Sequence, residues 1–496
     1  MSSSAQAPSL HQRVATPEEI GKYEPVIGLE VHVQLNTRTK IFCGCPTGFG
    51  VPPNTNVCPV CLGLPGALPV LNRRAVEMAI QAAIATHCRV NAFSRFARKN
   101  YFYPDLPKGY QISQYDQPLA EHGWLDTEVD GAKKRIGITR IHLEDDAGKS
   151  IHDGFKDSDR YTYVDLNRSG TPLIEIVSEP DIRSSDQAYA YLTELKQIMQ
   201  YVNVSECDME KGQLRCDANV SVRLKGTEKF GTKAEVKNLN SFRFAKMALD
   251  YEIARQVALI ESGGRVEQET RLYNVATGET VSMRSKEHAH DYRYFPEPDL
   301  VPLRVSEAWL EEVRATVPEL PADKRRRFVE SYGLREYDAQ VLTATHATAD
   351  YFEKAAKAAV DPRIAANWVI GDLLGALKGR EISDSSVSPE QLGELVSFIV
   401  KGEISGKMAK DIFGKMFETG ESAAAIIDRE GLRQISDTGA LEKIVDEVIA
   451  ASPRQVEQYK AGKTGVIGYL VGQVMKISKG QANPAAVNEL LKTKLG

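Results

Sequence analysis

The chain has 496 residues, a net charge of -5, 42% hydrophobic residues and 26% charged residues, a length that exceeds one core and calls for two or three domains. No apolar run approaches the ~18 residues of a membrane helix, and seven cysteines are too few and too uneven for a disulfide scaffold. A membrane protein and a uniformly basic nucleic-acid coat are excluded, and a cytoplasmic chain is expected. Residues 1–22 lack the apolar centre of a signal peptide and are expected to be a disordered tail.

The first strong element is Val26 to Leu35, VIGLEVHVQL, where Leu29, Val31, Val33 and Leu35 alternate with Glu30, His32 and Gln34. That is the period of a half-buried strand, one face on a core and the other displaying a carboxylate, an imidazole and an amide. Cys43 and Cys45 follow and, after a further 12 residues rich in Gly and Pro, Cys58 and Cys61. Paired thiols at such spacing suit a tetrahedral structural zinc. Cys88, Cys207 and Cys216 are scattered and expected to be buried. Asn72 is placed to cap a helix running from about Arg73 to His87.

Residues 95–117 interleave Arg95, Arg98, Lys99 and Lys108 with Phe96, Tyr101, Phe102, Tyr103, Tyr110 and Tyr115. Aromatic rings offer stacking surfaces for bases while the cations meet phosphates; an aromatic loop covering the core is the alternative. Arg140 to Glu144 alternates again, with Arg140, His142 and Glu144 on one side. The GKS at Gly148 to Ser150 is not a P-loop, since Leu143 stands where the first Gly is required, and the GKT at 462–464 fails at Glu457. ATP, if used, is held without a P-loop.

Leu173 to Val177 is apolar except for Glu175, and a lone carboxylate there must be paired, protonated or bound to a metal. Leu214 to Leu224 places Arg215, Asp217, Asn219, Ser221 and Arg223 opposite an apolar face, and Lys233, Glu235 and Lys237 alternate in the same way. Taken singly these are ordinary solvated strand faces. If the five strands share a sheet, their polar face is a site suited to a hard divalent cation bridging phosphate oxygens.

Helices are expected from about Asp186 to Val202, with Ser184 and Gln187 as a capping box, and from about Ser241 to Ser262. The mixture predicts an α+β domain with a largely antiparallel sheet over residues 23–297, carrying the Cys-rich zinc loop at 43–61. Pro296, Pro298 and Pro302 read as a stiff linker. An all-α domain over 298–404 follows, in which Ser388, Pro389 and Gln391 open a helix, and Gly402 to Gly406 suggests a boundary before a small helical domain over 405–496. From Ala451 onward seven Lys or Arg face two Glu, a net of +5, and Lys460, Lys463, Lys476 and Lys479 form a candidate phosphate-facing patch; a solvated Lys-rich terminus is the alternative.

The sequence resembles the B subunit of the bacterial-type aspartyl/glutamyl-tRNA(Asn/Gln) amidotransferase over roughly residues 23–496. The resemblance rests on VIGLEVHVQL at 26–35, RKNYFYPDLPKGYQISQYD at 98–116, HLEDDAGKS at 142–150, DLNRSGTPLIEIVSEPD at 165–181, LRCDANVSVR at 214–223, KNLNSF at 237–242 and HDYRYFPEPDL at 290–300. NWVIGDL at 367–373 and LVGQVMKISKGQANPAAVNELLK at 470–492 extend it.

The resemblance implies a cradle-shaped catalytic domain, a helical domain and a YqeY-like tail domain that contacts the tRNA body. It implies a complex with an amidase A subunit and a small C subunit, and a misacylated tRNA, Glu-tRNA(Gln) or Asp-tRNA(Asn), as substrate. ATP and Mg²⁺ would phosphorylate the side-chain carboxylate before ammonia displaces the phosphate. Glu30 and His32 match the metal-binding strand, and Glu144, Asp145, Glu175 and Asp217 fall in the other acidic motifs as candidate Mg²⁺ ligands. Lys99, Arg140, Lys149 and Arg215 are candidate phosphate contacts. Tyr101, Tyr103 and Tyr110, flanked by Arg98 and Lys108, are candidate stacking surfaces for adenine or the CCA end. Glu30, His32, Lys99 and Arg215 are the expected catalytic set. Some members lack the cysteine loop; the four thiols here imply the zinc-bearing version.

The chain has no Ser- and Gly-rich amidase signature with its lysine, so ammonia must come from a partner. A stand-alone ATP-dependent ligase joining a free carboxylate to ammonia, and a non-enzymatic scaffold presenting tRNA, are the rival readings.

Overall fold

A computed structural model of the chain describes residues 13–285, 292–432, 438–478 and 481–496. It divides into a first compact unit ending at Leu320 and a second beginning at Pro321.

The first unit is built on a nine-stranded sheet. In chain order its strands are β1 (Tyr23–Gln34), β2 (Arg89–Val90), β3 (Ala120–Val129), β4 (Ala132–Asp145), β5 (Pro172–Ser178), β6 (Leu214–Leu224), β7 (Ala234–Lys237), β8 (Glu269–Asn274) and β9 (Glu279–Ser285). Their spatial order is β9-β8-β7-β6-β1-β5-β4-β3-β2, so the five segments with alternating or isolated charge lie side by side as β7-β6-β1-β5-β4. Every neighbouring pair is antiparallel except β7 with β8. The expected α+β fold with a largely antiparallel sheet is therefore present.

Strand period settles which face is which. Leu29, Val31 and Val33 of β1 and Leu214, Cys216, Ala218 and Val220 of β6 belong to one continuous core with the helices Arg73–Ala85, Ser185–Tyr201 and Phe242–Glu261. Asn72 caps the first helix, its Oδ1 accepting from the N–H of Arg74 and Ala75. That helix stops at Ala85, short of the expected His87, which takes a left-handed φ of 59°. Ser184 caps the second by accepting from Gln187 N–H, while Gln187 Oε1 accepts from Arg183 N–H rather than from the cap itself. Cys88, Cys207 and Cys216 are buried thiols, as expected.

Three expected boundaries fall elsewhere. Of the tail expected over 1–22, residues 1–12 lie outside the described residues, and the rest contains a short helix, Pro17–Gly21, fixed by a capping box between Thr16 and Glu19. Phe295–Pro296 is a strand paired with Ala97 and Arg98 rather than a linker, anchored because Glu297 and Asp299 grip Arg98. Leu303, Val305 and Val313 join the first core, which carries that unit past residue 297 to Leu320.

The second unit is helical throughout its described residues. One core runs from Phe328 through Ile404 to Ile427, so the glycines at 402–406 interrupt no packing and residues 406–430 do not separate from what precedes them. A second, smaller core gathers Leu441, Val445, Val448, Leu470, Val474, Val487 and Leu491. The capping box of Ser388 and Gln391 is present with Pro389 at the first helical position. Among the described residues no helix is long and apolar enough to cross a membrane.

One ion pair locks helix to sheet edge. Glu252, 0% exposed, accepts from Arg255 Nε at 2.9 Å and Thr280 Oγ1 at 2.7 Å, and lies 3.3 Å from Arg271 Nε. Removing one member of such a group strands buried charge. Glu252→Ala is expected to lower stability to urea by about 3–5 kcal/mol, and a loss below about 1 kcal/mol, the range of a single ordinary hydrogen bond, would show that the cluster does not fasten the helix.

Candidate functional site

Register places the polar side chains in rows across the open face of the sheet. Arg215 pairs with His32, His32 with Glu175, and Glu175 with His142, so β6, β1, β5 and β4 contribute one row. Asp217 pairs with Glu30, Glu30 with Val177, and Val177 with Arg140 in the next row. Glu144, opposite Leu173, stands in a third. Of these, Glu30, His32, Arg140, Glu144, Glu175, Arg215 and Asp217 line one cavity of about 550 Å³, which Lys99, Tyr101, Tyr115, Tyr292 and Tyr294 also line, while His142 is buried beside it.

At the centre His32 Nε2 lies 3.4 Å from Glu144 Oε1 and 3.6 Å from Glu175 Oε2. His142 Nε2 lies 3.1 Å from Glu175 Oε2 and 3.8 Å from Glu144 Oε2. Both carboxylates are deeply buried, at 2% and 8% exposure. Burial opposes charge on His142, but Glu175 and Glu144 outweigh it and hold the imidazole up to about 9. Burial likewise pushes Glu144 and Glu175 up, and the two histidines more than reverse this, leaving both below the usual carboxylate range. One donor atom each from His32, Glu144 and Glu175 falls within 4.8 Å of the others. An octahedral cation with bonds of about 2.1 Å spans donors about 3–4 Å apart, so the trio fits one divalent ion.

The cations of the cavity divide by partner. Arg215 Nη2 binds Asp146 Oδ1 at 2.9 Å. Arg168 lies 3.5 Å from the other oxygen of Asp146 and donates to the carbonyls of Ala147 and Gly148. Lys237 is 2.6 Å from Asp217 and 3.6 Å from Glu235. Lys99 instead sits over ring faces, 4.8 Å from the centre of Tyr292 and 5.8 Å from that of Tyr101. Burial opposes its charge, and Tyr294, Glu144 and Glu175 together hold its pKa above the ordinary lysine value.

Of the expected site residues, Glu30, His32, Lys99, Tyr101, Arg140, Glu144, Glu175, Arg215 and Asp217 line this cavity together. Others do not. Asp145 points to the opposite side of β4, paired with Lys108 and accepting from Ile112 N–H at 2.8 Å. Lys108, Tyr110 and Asp145 instead line a separate cavity of about 200 Å³ beside Cys43 and Cys61. Arg98 is committed to Glu297 through two hydrogen bonds of 2.7 and 2.8 Å. Tyr103 is exposed and meets the cavity wall through an edge contact with Tyr101. Lys149 is exposed on a two-stranded ribbon whose strands, Lys149–Ile151 and Tyr163–Asp165, carry the GKS as extended chain. Lys460, Lys463 and Lys476 are exposed in the second unit, and Lys479 lies outside the described residues.

The sequence reading missed Asp146, Arg168, Tyr292 and Tyr294. Period two along HLEDD would have grouped Asp146 with Glu144 and set Asp145 apart. Nothing local marks Arg168 or the two tyrosines, which reach the cavity from distant loops.

The four thiols of the cysteine loop converge. Cys61 Sγ lies 3.5 Å from Cys43, 3.6 Å from Cys58 and 3.7 Å from Cys45. Bonds of about 2.3 Å to a tetrahedral metal give edges of about 3.8 Å, whereas a disulfide requires sulfurs about 2.05 Å apart. The hydrogen bond from Cys43, with the ammonium of buried Lys40 3.4 Å away, holds the Cys61 thiol down to about 4. The loop also grips the 149–165 ribbon: Asn54 donates to Val164 O and Asp165 Oδ1 and accepts from Leu166 N–H.

Residues 25–311 match the family model described as the GatB/GatE catalytic domain, and residues 350–495 match that of the GatB domain. The chain is 58% identical over 476 residues to the B subunit of the aspartyl/glutamyl-tRNA(Asn/Gln) amidotransferase of Carboxydothermus hydrogenoformans, covering 96% of this chain and 99% of that one. The subunits of the same name from Geotalea daltonii (57%, covering 96% and 99%) and Geobacter sulfurreducens (58%, covering 95% and 99%) are equally similar. The two domains therefore place the protein in the GatB class. Within it, the chain belongs to the family of aspartyl/glutamyl-tRNA(Asn/Gln) amidotransferase B subunits.

The cysteine geometry has a direct consequence. The protein is expected to carry one equivalent of a thiolate-bound divalent metal, and Cys58→Ser to lose it together with protection of the 149–165 ribbon in hydrogen exchange. Elemental analysis finding no metal and four titratable thiols would contradict it.

Proposed function

We propose that this chain is the activating subunit of a tRNA-dependent amidotransferase, using ATP and Mg²⁺ to prepare the side-chain carboxylate of Glu-tRNA(Gln), Asp-tRNA(Asn) or both for attack by ammonia. A free carboxylate is a poor acyl donor, because its leaving group would be oxide. In the proposed step a carboxylate oxygen attacks the γ-phosphorus of ATP and ADP leaves. Ammonia then attacks the carbonyl carbon of the acyl phosphate, and phosphate departs with the amide formed. Negative charge gathers in the first step, so catalysis rests on preorganised cations and donors.

The observation that carries the reading is the buried His32–Glu144–Glu175 group on a sheet face walled by tyrosines. His32, Glu144 and Glu175 would hold Mg²⁺, with Glu30 and Asp217 in the adjoining row. A bound Mg²⁺ there would offset the charge on phosphate oxygens. Lys99 and Arg140 add positive charge for bound oxyanions. Arg215 acts through Asp146, whose carboxylate it holds in place, and so orients the floor of the site. Tyr101, Tyr292 and the stacked pair Tyr115–Tyr294, with ring centres 4.2 Å apart, offer faces to adenine or to the CCA end.

Ammonia would come from an amidase A subunit, with a small C subunit completing the heterotrimer, and zinc would occupy the four cysteines as a structural ion. The exposed Lys460, Lys463 and Lys476 of the YqeY-like tail would meet the tRNA body. The helical segment before them would join tail to catalytic domain.

The test is a purified three-subunit complex supplied with labelled ATP, glutamine and Glu-tRNA(Gln) or Asp-tRNA(Asn). Phosphate release is expected only with misacylated tRNA present, and Glu175→Gln is expected to cut it about 100-fold or more. ATP turnover indifferent to tRNA would overturn the proposal. Amide formation on free glutamate would favour a stand-alone ligase. Undiminished tRNA amidation by Glu175→Gln would favour a scaffold.

A further inference from the structure

Three of the five cations lining the large cavity are consumed by the protein itself: Arg215 and Arg168 by Asp146, and Lys237 by Asp217 and Glu235. Lys99 is balanced by the ring faces of Tyr101 and Tyr292 and by the nearby charge of Glu144 and Glu175. Arg140 differs from all of these. Among the described residues it makes no ion pair, and its Nε is buried with no hydrogen-bond partner. Buried polar atoms in native proteins are nearly always satisfied, and an orphaned guanidinium nitrogen at the wall of a cavity points to a ligand that supplies the acceptor.

Position narrows the ligand. Arg140 stands two residues before His142 on β4, in the row of Glu30 and Val177 rather than in that of His32 and Glu175. It is therefore beside the His32–Glu144–Glu175 group and not part of it. Val177, the single apolar member of its row, separates it from Glu30. Phosphate oxygens would have Lys99 and a cation held by the trio to meet. What remains for Arg140 is an anion that arrives beside them on a short aliphatic stem. The guanidinium fork matches a carboxylate with two parallel hydrogen bonds, whereas a carboxamide offers one acceptor, presents an NH₂ to a donor and carries no charge.

Resting on the function proposed above, we infer that Arg140 is the carboxylate receptor of the cavity: it grips the side-chain carboxylate of the acidic aminoacyl group and distinguishes acid-bearing substrate from amide-bearing product. The same contact assists turnover, because phosphorylation removes the carboxylate charge and the amide formed afterwards does not restore it.

The test uses the full complex and whichever of Glu-tRNA(Gln) or Asp-tRNA(Asn) the wild type amidates, with the matching Gln- or Asn-tRNA as the amide-bearing form. Equilibrium binding by the wild type is expected to favour the acid-bearing form about tenfold or more, since buried donors built for one partner reject its analogue. Arg140→Met is expected to bring that ratio near one while the KM for ATP stays within about twofold, and Arg140→Lys to keep part of the ratio. Retention of the full ratio by Arg140→Met would overturn the assignment, as would a wild-type ratio near one. A tenfold rise in the KM for ATP with the ratio intact would make Arg140 a phosphate contact instead. Melting temperature and metal content report whether each variant folds. Phosphate release dependent on tRNA is scored separately in the wild type, so loss of the Arg140 assignment and loss of the activating function are read from different measurements.

Discussion

Two carboxylates buried against two imidazoles hold this structure to its purpose. Glu144 and Glu175 sit in the interior of a sheet, where unpaired charge would be costly, and His32 on β1 and His142 on β4 lie 3.1–3.8 Å from them. The arrangement requires β1, β5 and β4 to be adjacent and in register, and it requires the reverse side of the same strands to be apolar along Leu29, Val31 and Val33, Ile174 and Ile176, and Ile141 and Leu143. The helices Arg73–Ala85, Ser185–Tyr201 and Phe242–Glu261 meet that second requirement by covering the apolar face. Core and site are thus two sides of one set of strands, and a slip of one residue would exchange them.

That coupling explains what could be read without coordinates. The alternation of Leu29, Val31 and Val33 with Glu30 and His32, and of Leu214, Cys216 and Ala218 with Arg215 and Asp217, states which side chains share a face before any strand is placed. Glu175 announced itself as the one charge in an apolar strand. The four cysteines were legible from spacing alone. What failed was of two kinds. Asp145, Arg98 and Lys108 have the right chemistry, but strand alternation and local ion pairs turn them elsewhere: Asp145 to Lys108, Arg98 to Glu297. Arg168, Tyr292 and Tyr294 enter from loops, where no periodicity reports direction. Domain limits failed for a related reason, since proline and glycine mark turns, and turns need not separate cores.

β4 divides two environments. Arg140 and Glu144 line the large cavity, with buried His142 between them on the same side of the strand, and Asp145 lines the smaller one beside the cysteine loop. The loop grips the 149–165 ribbon through Asn54 and lines that smaller cavity with Cys43 and Cys61. A metal held by the four thiols would thereby stiffen the end of β4 without entering the chemistry on its other side.

The central claim is that the buried acid–imidazole group binds a divalent cation, and its most direct test is titration of the purified protein with Mn²⁺ followed by electron paramagnetic resonance. One site is expected whose signal disappears in Glu175→Gln and in His32→Ala while the cysteine-bound metal is retained. Equal Mn²⁺ binding by the wild type and both variants would contradict it.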